Sequence, residues 1–188
     1  MIAAQSHHYS QIMQIRSATS LDRNDIRSIH LSAFGEGERE VVSKLAVDLL
    51  SENTTPQIIS LVAEIEGAVV GHVAWSPVTT DRNENWLGYI LAPVGVKPNY
   101  QNQRIGSKLI DSGVQQLLKM GVNIVFVYGD PKYYSRFGFR ADLAVRYTPP
   151  YTLQYPFGWQ AIILNESNIS QSSIKITCVQ PLCDPQLW

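Results

Sequence analysis

The amino-acid sequence predicts an α/β (α+β) fold, a single domain built on a mixed sheet of about seven strands with helices on both faces. The chain has 188 residues, and because domains typically run from about 100 to 200 residues, one domain is expected. Strand-like and helix-like hydrophobic periods follow each other in the order β-α-α-β-β-β-α-β-α-β-β, with no internal repeat. This order is typical of a sheet covered by helices on both sides.

The N-terminal part of the chain predicts an arm followed by the first strand. Residues 1–12 are expected to form a loose arm, and residues 13–188 are expected to form the domain. The sequence alternates over residues 13–18 as a strand does. The arm is largely polar and has neither a basic start nor an apolar core of signal-peptide length. We therefore expect a cytoplasmic protein that is not exported.

Two amphipathic helices are predicted next. The first begins after helix-start residues and is marked by four positions at helical spacing, Ile26, Ile29, His30 and Phe34. His30 on that face is better explained as a packed core residue than as a ligand. The second helix runs over residues 41–50, behind a turn that contains Glu36 and Glu38. That turn is either a solvated loop or a cover over a substrate entrance.

A β-hairpin follows the helices. Residues 58–65 and 68–75 are β-like runs joined by the tight turn Glu66-Gly67, and Ser76-Pro77 is expected to close the hairpin.

The next strand carries a proline. Residues 81–85 are polar and predict a loop, and residues 86–96 form a long apolar strand. Pro93 cannot donate a ladder hydrogen bond, so a bulge or a gap in strand pairing is expected there.

The clearest helix covers residues 105–120, and Gly121 ends it. Its apolar face consists of Ile105, Leu109, Ile110, Val114, Leu117 and Leu118. Shorter patterns then predict a strand over 124–128, a helical segment over 131–137, an ordered proline-rich loop over 148–156, and strands over 159–164 and 174–179.

Composition excludes several classes of protein. The formal net charge is −1 with a pI of about 6.4 and no block of like charges, so a nucleic-acid partner is not expected. No apolar run approaches the roughly 20 residues needed to cross a bilayer, so no membrane insertion is expected. Cys178 and Cys183 have no neighbouring His or further Cys to complete a zinc site, and no metal is expected.

The junction between the strand over 86–96 and the helix over 105–120 is the most informative stretch. A loop that leads into a helix start points several unpaired N–H groups at one spot, and the helix dipole adds partial positive charge. Such a junction suits the pyrophosphate of a cofactor. Dinucleotides and ATP are weaker candidates, because the sequence contains neither Gly-x-Gly-x-x-Gly nor a complete P-loop.

Two motifs resemble the GNAT superfamily of N-acetyltransferases. Gln101-Asn102-Gln103-Arg104-Ile105-Gly106 is similar to its cofactor signature Gln/Arg-x-x-Gly-x-Gly/Ala, except that Arg104 stands where glycine is usual. Residues 129–139 resemble its aromatic-Tyr-x-x-x-Gly-Phe segment in the form Gly-Asp-Pro-x-Tyr-Tyr-x-Arg-Phe-Gly-Phe. Together with residues 71–77 and 91–93, they resemble one bacterial branch of predicted acetyltransferases. The resemblance covers roughly residues 13–164.

Arg104 is the departure from the signature. An arginine disfavours a backbone conformation that only glycine adopts readily, but at an anion site its guanidinium adds charge and donors. We interpret it as a tolerated variant.

The resemblance implies a mostly antiparallel, twisted GNAT-like sheet that is split between strands 4 and 5. It further implies that the main chain of Val94, Gly95 and Val96 binds the pantetheine arm of acetyl-CoA. The pyrophosphate would be wrapped by six residues, Asn102, Gln103, Arg104, Ile105, Gly106 and Ser107. Tyr134 matches the family tyrosine that protonates the departing thiolate, although a packed aromatic is the competing interpretation.

The general base stays unassigned. The family often supplies a Glu on a central strand, but residues 86–96 and 122–128 contain no acid. Glu36, Glu38 and Asp130 are candidates that are also explained as turn or surface carboxylates, and His72 in a strand pattern is a weaker one.

The sequence therefore predicts an acetyl-CoA-dependent N-acetyltransferase that uses direct attack in a ternary complex, with no metal and no covalent intermediate. The alternative is a non-catalytic acyl-CoA-binding or sensing module of the same fold. The acceptor would be a small-molecule or peptide amine, without nucleic acid or membrane. Its identity is open, and a homodimer is compatible with the sequence.

Overall fold

The computed structural model describes residues 12–80, 83–166 and 172–188. Their strands are β1 (Met13–Ser17), β2 (Ile59–Ile65), β3 (Ala68–Thr80), β4 (Asn83–Val96), β5 (Ile124–Tyr128), β6 (Tyr147–Thr148), β7 (Trp159–Ile163) and β8 (Ile174–Cys178). Their α-helices are α1 (Arg23–Ala33), α2 (Arg39–Ser51), α3 (Ile105–Lys119), α4 (Pro131–Tyr134) and α5 (Ala141–Ala144). Apart from Ile12, the predicted arm lies outside the described residues.

The strands form a mixed, mostly antiparallel sheet in the order β1-β2-β3-β4-β5-β7. β4 and β5 are parallel, whereas the other neighbours along this order are antiparallel. β8 pairs with the far end of β3 and with the two-residue strand β6. The predicted sheet is confirmed, and β6 and α5 are short elements that the sequence pattern did not indicate.

Helices cover both faces of the sheet, as predicted. Successive residues of a strand point to opposite faces, and Trp75 accordingly packs in one buried cluster with Leu109 of α3, whereas Ala74 packs in another with Leu45 of α2. Gly113 of α3 allows Trp75 to pack this closely on the helix, because a Cβ at position 113 would lie 2.2 Å from the indole nitrogen of Trp75. The sheet is thus held between α3 on one side and α1 with α2 on the other.

The predicted end of the hairpin at Ser76-Pro77 is wrong, because β3 continues to Thr80. On one edge of β3, pairing with β2 stops at Trp75 and pairing with β8 starts at Val78. Among the described strands, residues 76 and 77 therefore pair only with β4. Pro77 is tolerated because proline has no N–H to donate and no second strand of this set is present here to accept one.

The predicted loop over residues 81–85 is also wrong in part. β4 begins at Asn83, which pairs with Thr80, and positions 81 and 82 lie outside the described residues. A polar residue fits the start of this strand, since the backbone pairing of Asn83 with Thr80 does not require an apolar side chain.

Candidate functional site

β4 and β5 run side by side only briefly and then separate. Their parallel pairing joins residues 88–91 to residues 124–127 and goes no further. On its other edge β4 stays paired with β3, but residues 92 and 93 both lie opposite the single residue Ala74. This bulge confirms the irregularity predicted from Pro93. The backbone of residues 94–96 consequently has β3 on one side and a gap on the other.

The loop after β4 delivers the start of α3 to that gap. The helical hydrogen bond from Lys108 N to the carbonyl of Arg104 is 3.0 Å long. The amides of residues 105–107 precede it and have no acceptor within the helix. The Gln101 side chain donates to the carbonyl of Val96 at 3.0 Å, which ties the loop to the end of β4.

Arg104 has a left-handed backbone, with φ 62° and ψ 16°. Arginine therefore adopts the glycine-like conformation that its residue type disfavours, which fits its interpretation as a tolerated variant. This conformation costs an L-residue about 1–2 kcal/mol. The loop contains a second left-handed residue, Asn102 at φ 61°, a residue type that tolerates this region. The two left-handed turns set the direction in which the first amides of α3 point.

These segments enclose a cavity of about 630 Å³, here called the loop cavity. Among the predicted cofactor-binding residues, it is lined by Val94, Gly95, Val96, Asn102, Arg104, Ile105, Gly106 and Ser107. Gln103 is the exception, because its exposed side chain donates to the carbonyl of Asn99 at 3.3 Å instead.

Two further residues of the aromatic segment line the loop cavity, and the sequence reasoning missed them. The hydroxyl of Tyr133 lies over Gly106, and the guanidinium of Arg136 lies 4.8 Å from the centroid of the Tyr133 ring. Arg104 and Arg136 are the charged side chains among the described residues that line this cavity, and both are cationic. The loop cavity thus combines free amides with two guanidinium groups, which suits an anionic ligand.

A second cavity, of about 660 Å³, lies on the other side of the gap. We call it the C-terminal cavity, because Leu182 and residues 186–188 form part of its wall. Its aromatic lining consists of Phe34, Tyr128, Tyr134, Tyr155, Phe157 and Trp188. Among its described lining residues, Glu38 and Asp130 are charged and no Lys, Arg or His is present. Its charge is therefore opposite to that of the loop cavity.

The two cavities meet at Phe34, Val94 and Tyr134, which line both. The ring of Tyr134 packs on Gly129 so closely that a Cβ there would lie 2.4 Å from its Cε2 atom. Burial raises the pKa of Tyr134 well above the usual value for a phenol, and Tyr133 adds to the shift. The structure therefore holds a neutral hydroxyl donor where the two cavities join.

The structure places the three acidic candidates for the general base at different positions relative to the cavities. Glu38 and Asp130 line the C-terminal cavity, whereas Glu36 lines neither cavity. The carboxylate of Asp130 accepts the Lys132 amide at 2.9 Å and caps α4. Glu38 is exposed at the edge of the cavity.

His30 and His72 are fully buried and line neither cavity. Nε2 of His30 lies 2.8 Å from Nδ1 of His72, and Nε2 of His72 lies 2.9 Å from the Ser60 hydroxyl. Burial lowers the pKa of His30 to about 3 and that of His72 well below the usual value. Both rings are packed neutral groups, as expected for His30, and His72 is not exposed to a substrate.

The described part of the chain offers no metal-binding cluster, no membrane-spanning helix and no disulfide. It contains no group of three or more His, Cys, Asp or Glu side chains that could hold a metal ion. None of its helices is long and apolar enough to span a membrane. Cys178 is buried, Cys183 is exposed, and both are free thiols.

Comparison with known proteins identifies the family. The family model for an acetyltransferase (GNAT) domain matches residues 14–141. An uncharacterized N-acetyltransferase of Escherichia coli K12, YjhQ, is 34% identical over 149 residues, 78% of this chain and 78% of YjhQ. Another, YhbS of the same strain, is 34% identical over 129 residues, 68% of this chain and 73% of YhbS.

Solved structures show the same fold. The crystal structure of E. coli YhbS in complex with CoA matches with a TM-score of 0.79 and 24% identity, covering 92% of this chain and 93% of that one. A GNAT-family acetyltransferase from Brucella melitensis in complex with acetyl-CoA matches with a TM-score of 0.64 and 31% identity. That match covers 87% of this chain and 95% of the Brucella protein.

Proposed function

This chain belongs to the GNAT acetyltransferase family, and on that premise we propose that it transfers an acetyl group from acetyl-CoA to an amine by direct attack. One observation carries the proposal: a cationic cavity and an anionic cavity meet at the hydroxyl-bearing ring of Tyr134. The first suits the phosphates of CoA, and the second suits a protonated amine. The reaction forms one C–N bond and breaks one C–S bond, and the products are an N-acetyl amine and the CoA thiol.

The loop cavity supports acetyl-CoA as the donor. The amides of residues 105–107, together with Arg104 and Arg136, would hold the pyrophosphate. The open edge of residues 94–96 would hydrogen-bond the pantetheine arm, because backbone groups facing a gap need partners. The Val96 carbonyl already accepts from the Gln101 side chain, so the other groups of this edge would supply most of these bonds. Structures of YhbS with CoA and of the Brucella enzyme with acetyl-CoA support this choice of ligand.

The C-terminal cavity supports an amine as the acceptor. An amine must lose its proton before it attacks, and the carboxylates of Glu38 and Asp130 lie on the side from which it would enter. They would attract the ammonium form and provide a route for its proton to water. The proton balance closes when Tyr134 gives its proton to the departing sulfur and is reprotonated from water, while the proton lost by the amine passes to water.

Tyr134 supports the chemical step. Its raised pKa keeps the phenol protonated throughout the neutral range, so the hydroxyl can donate to a developing thiolate. Its ring is fixed against Gly129 and Tyr133, with the two tyrosine centroids 5.0 Å apart. A fixed donor needs little reorganisation during the reaction.

Residues 13–188 would act as one catalytic domain. The enzyme would work in the cytoplasm on a small-molecule or peptide amine, without a nucleic-acid partner or a membrane. Strands β7 and β8 support the single domain, because they lie beyond the matched residues 14–141 and yet pair with β5 and β3.

A thiol-release assay tests this proposal. Purified protein and acetyl-CoA are mixed with a panel of amines, and a calorimetric titration with CoA is run beside it. The proposal predicts CoA binding and amine-dependent release of free thiol. CoA binding without turnover on any amine would favour the non-catalytic module, and absence of CoA binding would refute both.

A further inference from the structure

The C-terminal cavity carries a charge pattern that limits which amines it can accept. Glu38 and Asp130 are anionic, and its described lining residues offer no cation to pair with an acidic group on the substrate. Like charges disfavour each other in a partly enclosed space, where the effective dielectric constant is below that of water. A carboxylate or phosphate on the acceptor would therefore lower its affinity.

The walls of the same cavity are aromatic and partly exposed. Phe157 is 65% exposed and Tyr155 is 53% exposed, with ring centroids 5.9 Å apart. Deeper in the wall, the rings of Tyr128 and Trp188 stack with an interplanar angle of 12° and centroids 6.2 Å apart. Exposed apolar side chains grouped at a cavity mark a binding surface, and aromatic faces also attract cations.

Hydrogen bonds hold this aromatic wall in place. The amide of Tyr155 donates to the Tyr128 hydroxyl at 2.9 Å, and the amide of Gln154 donates to the carbonyl of Trp188 at 3.1 Å. The indole N–H of Trp188 donates to the carbonyl of Leu182 at 2.9 Å. A wall ordered without ligand loses little entropy when a flat ring binds to it.

We infer that the acceptor is a primary amine on an aromatic, otherwise uncharged body, an arylalkylamine without a carboxylate or phosphate. The inference rests on the proposed function and names the substrate class of that site. Phe157 and Tyr155 contact the ring of the acceptor, and the carboxylate of Glu38 pairs with its ammonium group. Polyamines and aminoglycosides satisfy the charge but leave the aromatic wall uncovered, and free amino acids bring a carboxylate into an anionic cavity.

Three amines separate these requirements. Phenethylamine has the ring and the amine, phenylalanine adds a carboxylate to the same skeleton, and spermidine has amines without a ring. We expect phenethylamine to be acetylated with a kcat/KM at least about tenfold above that for either other amine, the factor that about 1.4 kcal/mol of binding free energy provides. Calorimetric titration of the CoA-loaded protein with the three amines should give the same order of affinity.

Two variants with matched controls locate the contacts. E38Q should raise the KM for phenethylamine about twofold to fivefold, as expected for losing an ion pair with an exposed carboxylate, and leave the Kd for acetyl-CoA unchanged, whereas E36Q, in the same turn but outside both cavities, should change neither. F157A should raise the same KM by a similar factor. L21A, a change of an apolar side chain that is 91% exposed and lines neither cavity, should not.

Both altered cavity side chains are exposed, so these variants should fold. Spermidine or phenylalanine used as well as phenethylamine, or an unaltered KM in both E38Q and F157A, would overturn the acceptor class. If acetyl-CoA binds and a different amine is acetylated, the inference fails and the proposed function stands. If acetyl-CoA does not bind, the proposed function itself fails.

Discussion

The hydroxyl of Tyr133 lies directly over Gly106, so that a Cβ placed on Gly106 would be 2.9 Å from the hydroxyl oxygen. This contact joins the two motifs of the sequence, the loop before α3 and the aromatic segment after β5. It also places an aromatic side chain over the amides that would hold a phosphate. Any side chain at position 106 must compete with both.

Gly106→Val should weaken CoA binding at least about tenfold, equivalent to about 1.4 kcal/mol. The branched side chain occupies the space through which a phosphate approaches the first amides of α3. Calorimetric titration with CoA measures the change, and thermal melting checks that the variant is folded.

The double variant Gly106→Val, Tyr133→Phe identifies the cause. Removing the hydroxyl relieves the contact with valine, but the blocked amides should keep the affinity low. Restored affinity in the double variant, or unchanged affinity in the single one, would contradict the assignment of the pyrophosphate site.

Arg104 combines a left-handed backbone with a charged side chain, and two substitutions separate these properties. Arg104→Gly should be more stable than Arg104→Ala by about 1 kcal/mol, because only alanine is strained at φ 62°. Both should bind CoA about 1–3 kcal/mol more weakly than wild type, with a smaller loss at high salt. Urea unfolding and titrations at two salt concentrations measure these effects. Equal CoA affinity for all three proteins would show that the guanidinium does not contact the anion.

The buried histidines should make stability depend on pH. Both are neutral when folded, with the pKa of His30 lowered to about 3 and that of His72 also lowered, whereas an unfolded histidine has a pKa of about 6.5. The unfolded chain therefore binds more protons below pH 6.5, and stability is complete above that pH and falls as the pH decreases. Each histidine contributes a slope of at most about 1.4 kcal/mol per pH unit. Urea unfolding at pH 7, 6 and 5 measures it.

Asp22 provides the control for this slope. Its hydrogen bonds with Arg16 lower its pKa to about 2, so its contribution is complete above its unfolded pKa of about 4 and is lost below it. Asp22→Asn should lower stability at every pH from 5 to 7 without changing the slope. Equal stability of the wild-type protein at pH 5 and pH 7 would contradict the assignment of neutral histidines.

Local patterns predicted the parts of the site that depend on neighbouring residues. The period of α3 is visible because Leu109, Ile110 and Leu117 face the sheet. Helix-start chemistry predicts that the loop before α3 is an anion site, and the structure gives that loop a cavity lined by Arg104 and Arg136. Pro93 indicated the bulge that turns β4 away from β5. The position of Tyr134 came from a family resemblance, and the structure puts its side chain where both cavities meet.

Features that depend on distant pairing could not be predicted. Pro77 is tolerated in β3 because β2 and β8 pair with different ends of that strand, a relationship between residues about 100 positions apart. The C-terminal cavity similarly joins α2, β4 and the segment around Tyr155 and Phe157 to Leu182 and residues 186–188. No local period indicates such an assembly. The left-handed backbone of Arg104 was missed because the residue type alone opposes it.

The rate of acetyl transfer by Tyr134→Phe tests the central claim most directly, since this change keeps the ring and removes only the hydroxyl. Tyr151→Phe, at a tyrosine that lines neither cavity, is a better control than Tyr133→Phe, because the Tyr133 hydroxyl lies in the loop cavity. With any accepted amine, kcat should fall about 10²- to 10⁴-fold in Tyr134→Phe while the Kd for acetyl-CoA stays the same. Wild-type kcat should show no loss up to about pH 10, because burial raises the pKa of this phenol. A Tyr134→Phe enzyme with the wild-type kcat would contradict the claim that this hydroxyl serves the departing thiolate.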